Sequence, residues 1–191
     1  MRSKFINKEI VAKLRKVLGT EAWLPFQVSL ETGLRIGDVL RLRSSNLSLT
    51  RGRYILSFTA MKTGKEGAAF LSTSTGKRLA DREGFLFPGR GKSGHLTRQA
   101  AWSRLKRACE AVGVDSDGIS PHSLRKCFAV ALRHEKGTEA VKEALQHSSD
   151  AVTRVYAYAD TVMNSASDEP VRWCDLELVV DYILSRLKDG G

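Results

Sequence analysis

The chain has 191 residues and carries 31 Lys and Arg against 21 Asp and Glu, a formal net charge of +10 at pH 7. That length suits one domain, or one domain with an arm, and is enough to bury a core of its own. No apolar segment approaches the roughly 18 residues of a membrane-spanning helix, and the N-terminus lacks the apolar stretch of a signal peptide, so a cytoplasmic protein with no membrane partner is expected.

The charge is unevenly placed. Residues 1–107 hold 22 Lys and Arg against 7 Asp and Glu, whereas residues 108–191 hold 9 against 14. A basic N-terminal part suits a polyanion, and nucleic acid is the first candidate. Cys109, Cys127 and Cys174 are widely spaced and odd in number, which reads as buried, reduced thiols and not as a disulfide frame or a zinc site.

In chain order, Asn7 can cap a helix whose apolar stripe is Ile10, Val11, Leu14, Val17 and Leu18. A second apolar-rich helix follows over 21–32, with Pro25 in its first turn and Gly33 as its stop. A short helix is expected from Ile36 to Leu42. Tyr54–Phe58 and Ala69–Leu71 are β-branched and aromatic, and Lys62-Thr63-Gly64-Lys65 between them reads as the turn of a β-hairpin. Phe85–Pro88 is a short extended piece, followed by a flexible basic loop from Gly89 to Gly94. Thr97 can cap a helix running to about Val112. After Ser120-Pro121 a helix is expected from about His122 to His134, and Thr138 can cap another that buries Val141, Ala144 and Leu145. A further short helix covers 151–158, residues 160–174 are polar and linker-like, and Leu176 to Leu187 form an amphipathic stripe. The expected fold class is α+β, mainly α-helical, with a small antiparallel hairpin at one edge.

Within these elements lies a set of residues suited to a phosphate diester. Such chemistry needs cationic donors on the phosphate oxygens, a nucleophile in line, and an acid for the leaving oxygen. Arginine is the preferred clamp, because its planar fork can meet two oxygens. His122 and Arg125 stand three residues apart, so a helix presents both to one ligand. His147 opens a turn whose following helix brings Tyr156 round to the same place. Taken singly, each is ordinary: a surface pair, a half-buried tyrosine, a helix-end Arg35, a solvated turn Lys62. Their order and spacing carry the reading.

That order resembles the tyrosine recombinase (phage integrase) family, in its catalytic domain, over roughly residues 7–160. Thr32-Gly33-Leu34-Arg35-Ile36-Gly37-Asp38-Val39-Leu40-Arg41-Leu42 is similar to the family's first arginine motif. Lys62, 27 residues on in a hairpin, stands where the family keeps its catalytic lysine. His122-Ser123-Leu124-Arg125 matches its His-x-x-Arg. Leu145-Gln146-His147-Ser148-Ser149 resembles its Leu-Gly-His-Ser box, with Tyr156 at the nucleophile's nine-residue distance. Gln146 departs from the family's glycine, and Tyr158 stands where many members have histidine.

The resemblance implies a site-specific recombinase that cuts and rejoins double-stranded DNA through a 3′-phosphotyrosyl intermediate, with no metal and no cofactor. Tyr156 would be the nucleophile, Arg35 and Arg125 the phosphate clamps, and His122 the general base or proton-transfer partner. His147 would donate a hydrogen bond to the phosphate, and Lys62 would be the general acid. Arg41, Arg43, Arg51, Arg53, Lys65, Arg90, Lys92, Arg98, Arg104, Lys106 and Arg107 are candidates for DNA contact, those on the helix from Thr97 being the best placed for groove readout. The resemblance divides the chain into a catalytic domain (1–160), a linker (161–174) and a C-terminal amphipathic helix (175–191). That helix folds back on its own domain or docks on a neighbour in a homo-oligomer, a tetramer on DNA. The chain starts almost where the catalytic domain should, without the family's N-terminal core-binding domain, so weak DNA binding is expected of it. Two other functions remain open: type IB topoisomerase-like nicking and resealing, and a non-catalytic DNA-binding regulator of the same fold.

Overall fold

The computed structural model describes residues 6–145. The helix expected over 151–158, the linker, the C-terminal helix, Gln146, His147, Tyr156, Tyr158 and Cys174 all lie outside the described residues.

Helix α1 (Lys8–Thr32) opens on Asn7, whose side chain accepts from the Ile10 N–H at 2.9 Å. It is two helices joined at Gly19, where φ 69° and ψ 169° break the helical path in a conformation that glycine reaches without a Cβ clash. The two stripes expected from the sequence are these two halves. Pro25 is buried inside the second half and not at its start. Gly33 ends α1 in the left-handed region (φ 67°), its N–H donating to Ser29 O, as the αL cap requires.

Helix α2 (Ile36–Val39) is shorter than the expected Ile36–Leu42. Arg41 and Leu42 donate three residues back, to Asp38 and Val39, so the turn tightens instead of continuing. The sheet has three antiparallel strands in the order β1 (Leu47–Thr50), β2 (Arg53–Thr59), β3 (Glu66–Leu71). The expected hairpin is β2–β3, with Leu56 opposite Ala69 and, on the other side, Leu47. Strand β1 was not expected, because Ser48, Leu49 and Thr50 are all exposed and leave no inward pattern to read.

Helix α3 (Thr73–Ala80) was also not foreseen. Its start, Thr-Ser-Thr-Gly, is poor in helix formers, and it is held instead by Ser72, whose Oγ accepts from the Thr75 N–H. Gly76 in its middle lies against Tyr54, where a Cβ would meet the ring at 2.1 Å. The piece from Phe85 to Pro88 is extended and forms isolated bridges to Arg43 and His95. Helix α4 (Arg98–Ala111) is capped by Thr97 Oγ1 accepting from Ala100 N–H, and Val112 closes it.

Helix α5 (Pro121–Leu145) corrects the expectation of two helices. The backbone is helical through Gly137 and Thr138, so no helix begins at Thr138. Pro121 sits at the first helical position, where its missing N–H costs nothing, and Ser123 Oγ accepts from the Ser120 N–H. One core gathers Leu14, Trp23, Phe26, Leu40, Leu56, Leu86, Leu105 and Leu124. Cys109 and Cys127 are buried free thiols; burial pushes Cys127 up to about 12 and raises Cys109 as well, so both behave as apolar core residues.

Candidate active site

The end of α1 sets the first cation. Ser29 Oγ donates to Leu34 O and Thr32 Oγ1 to Val28 O, and Thr32 Oγ1 accepts in turn from the Leu34 N–H. These bonds lock the reversal around Gly33 and bury Leu34. Arg35 therefore emerges as the N-cap of α2, half-buried and in extended backbone. From α5, 92 residues on, Arg125 returns to the same reversal: its Nη1 donates to Gly33 O at 2.5 Å. Arg125 is only 5% exposed.

Asp38, buried on α2, binds the third element. Its Oδ1 accepts from the Met61 N–H at 3.2 Å, across 23 residues. The turn from Ala60 to Lys65 is closed by Ala60 N–H to Lys65 O and Gly64 N–H to Ala60 O, both at 2.8 Å. Gly64 takes φ 67°, a value that suits glycine. Lys62, next to Met61, is exposed at this turn.

One cleft of about 710 Å³ is lined by Arg35, Lys62, His122 and Arg125, together with Arg41 and Arg98. Asp38 is the one carboxylate among its described lining residues. Burial, and then the charge of Arg35, lower the Arg125 guanidinium to about 10, with Asp38 opposing both; it stays charged at neutral pH. His122 is exposed at the cleft. Loss of surrounding water, and then the charges of Arg125, Lys126 and Arg35, push its imidazole down to about 4. His122 is thus neutral at pH 7, flanked by cations and able to accept a proton.

Four of the six expected catalytic positions thus meet in one cleft, and His147 and Tyr156 lie outside the described residues. Of the expected DNA-contact residues, Arg41 and Arg98 line the cleft and the others do not. Arg43 lies over the Phe85 ring, 4.1 Å from its centroid. Lys65, Arg90, Lys92, Lys106 and Arg107 are exposed, and Arg104 is half-exposed. The sequence reading missed His95. It lines the cleft, meets Phe85 edge-on at 5.1 Å, and has Nδ1 2.9 Å from Leu96 O. Its signal was its place two residues before the Thr97 cap. The role of Asp38 was missed too, although it stands inside the first arginine motif.

The profile of the phage integrase family matches residues 6–162. The chain belongs to the phage integrase family. This match runs past the described residues and includes both His147 and Tyr156. Tyrosine recombinase XerD of Rhizobium meliloti (strain 1021) is 33% identical over 138 residues, covering 66% of this chain and 43% of that protein. Tyrosine recombinase XerD of Haemophilus ducreyi (strain 35000HP / ATCC 700724) is 30% identical over 138 residues, covering 66% and 46%. The chain therefore spans less than half the length of these relatives.

Solved structures agree in fold. The XerH site-specific recombinase in its post-cleavage complex with palindromic difH superposes with a TM-score of 0.67 at 21% identity, covering 86% of this chain and 52% of that one. A lambda integrase dimer bound to a COC′ core site gives 0.67 at 20% identity, covering 90% and 51%. The catalytic domain of bacteriophage HP1 integrase gives 0.60 at 21% identity, and this chain covers 94% of it. The fold of this phage integrase family member is that of the tyrosine recombinase catalytic domain, mainly helical with a small antiparallel sheet.

Proposed function

We propose that this chain is the catalytic part of a site-specific DNA recombinase that cleaves and rejoins strands through Tyr156. The observation that carries this reading is the convergence of Arg35, Lys62, His122 and Arg125 on one cleft, inside a family match that continues to residue 162. The tyrosine hydroxyl attacks the scissile phosphorus, the bond to the 5′-oxygen breaks, and a 3′-phosphotyrosyl link replaces it. Lys62 delivers the proton that the departing 5′-oxygen needs. Arg35 and Arg125 hold the non-bridging oxygens, and His147 adds a hydrogen bond to them. His122 receives the tyrosine proton. A bound phosphate offsets the charges of Arg125 and Arg35, so the basicity of His122 rises when substrate arrives.

Double-stranded DNA is the proposed partner. Its binding would weaken steeply with salt as counterions are released. Residues 1–160 act as the catalytic domain, 161–174 as a linker and 175–191 as a helix that folds back on its own domain or docks on a neighbouring protomer in a DNA-bound tetramer. Cytoplasmic DNA is the site of action, and the reaction needs no metal or cofactor. Relatives bound to DNA, XerH and lambda integrase, support the partner.

The test is a nicked suicide substrate, whose cleaved product diffuses away and traps the enzyme on DNA. A denaturant-stable adduct is expected with the wild-type chain, also in EDTA, and is expected to vanish in Tyr156→Phe. An adduct that survives Tyr156→Phe and disappears in Tyr158→Phe would move the nucleophile. DNA binding without any adduct would reduce the protein to a binding module.

A further inference from the structure

Gly37 is the second residue of α2, and it is not among the glycines that need positive φ. What a side chain there would press on is Arg98. A Cβ at Gly37 would stand 3.2 Å from Cδ of Arg98 and 3.8 Å from its Cγ, the nearer contact inside the roughly 3.5–4.0 Å optimum for carbon pairs. The stem of Arg98 therefore lies against the first turn of α2 while its head stays in solvent, as long cationic side chains do. Arg98 opens α4, and Arg35 caps α2, so two elements far apart in sequence deliver two arginines to one cleft. Arg98 is exposed and makes no hydrogen bond or ion pair among the described residues.

The charge balance decides what the pair is for. Arg35, Arg41, Lys62, Arg98 and Arg125 line the cleft against Asp38 alone. One phosphodiester brings a single negative charge, far less than these groups call for. On a DNA strand the next charge follows after about 3.4 Å of helix axis.

We propose that Arg98 holds a second phosphate of the bound strand, next to the one at Arg35 and Arg125, and that Gly37 is the positioning residue that seats Arg98 there. The proposal rests on the DNA reading above. Gly37 contributes no group to the ligand; it leaves the space in which the Arg98 stem runs.

The experiment measures the affinity of the whole chain for an arbitrary duplex oligonucleotide across a range of salt concentrations. Arg98→Gln is expected to reduce the slope of log affinity against log salt by about 0.9, the contribution of one phosphate. Gly37→Leu is expected to reduce it equally, and the double variant no further than either alone. Gly37→Ala, a smaller intrusion, is expected to reduce it less. Its thermal midpoint should not fall, because alanine favours a helix over glycine; a merely structural role for Gly37 would not separate these two readouts. An unchanged slope in Arg98→Gln overturns the second phosphate, and an unchanged slope in Gly37→Leu overturns the seat. Wild-type protein that binds no duplex at low salt overturns the DNA reading itself, and the proposal with it.

Discussion

Arg125 donates from Nη1 to the carbonyl oxygen of Gly33, tying the fifth residue of α5 to the left-handed cap of α1. The bond joins the two arginine motifs directly, since Arg35 follows Gly33 by two residues. Arg125→Lys keeps a charge but loses the planar fork that can serve Gly33 and a phosphate together. Cleavage of a suicide substrate is expected to fall by about 10²–10³-fold, the scale for losing one charge-stabilising donor. Arg125→Ala should show the same defect, and also destabilise the fold by about 1–3 kcal/mol through the unpaired carbonyl. Denaturant unfolding beside single-turnover cleavage separates the two effects.

Asp38 does two jobs that a pair of variants can divide. Its carboxylate accepts from the Met61 N–H and raises the Arg125 guanidinium electrostatically. Asn at this position can still accept from Met61 but carries no charge. Asp38→Asn is expected to slow cleavage less than Asp38→Ala does, because it removes only the charge beside Arg125, with little change in the Lys62 turn. Asp38→Ala is expected to do more, because the turn is released as well. Hydrogen exchange at the Met61 amide reads the difference: near wild type in the Asn variant and faster in the Ala variant.

The grouping of four candidate residues was legible where parts of the fold around them were not. Arg35, Lys62, His122 and Arg125 could be read because order and spacing along the chain are sequence properties, and the cleft gathers all four. Asp38, His95 and Gly37 could not be read that way. Their roles depend on partners distant in sequence: Met61, Phe85 and Arg98. Helices with clear stripes and caps, such as those at Asn7 and Thr97, were equally legible. Strand β1 and helix α3 were not. The first shows no alternation, and the second is held by Glu31 from across the fold and not by its own propensity. Gly137 and Thr138 look like punctuation locally, yet α5 continues through them, so tertiary context outweighs a weak local preference there.

His122 makes the free protein sensitive to acid. Its folded value of about 4 lies below the ordinary 6.5. Between those values the unfolded chain takes up a proton that the folded chain refuses. Stability is therefore fully present above pH 6.5 and is lost as pH falls toward 4. The loss between pH 7 and pH 5 is expected to be smaller in His122→Gln than in wild type. Urea unfolding at the two pH values measures it. If both proteins lose the same stability, His122 is not the group responsible.

Glu31 offers a control in which stability moves and the chemistry does not. Its carboxylate accepts from the Ser72 N–H at 3.1 Å, Ser72 Oγ at 2.9 Å, Thr75 Oγ1 at 2.7 Å and Gln27 Nε2 at 2.9 Å. It thereby fastens the start of α3 to α1, and it is not among the residues that line the cleft. Glu31→Ala leaves these donors without their shared acceptor. It is expected to cost about 2–3 kcal/mol, in the range of hydrogen bonds to a charged group. Glu31→Gln keeps the shape but turns an amide donor toward other donors, so about 1 kcal/mol is expected. In both variants the rate of adduct formation per folded molecule should match wild type. A loss of rate in folded Glu31→Gln would mean that the α1–α3 junction reaches the cleft through the Gly33 reversal, two residues beyond Glu31.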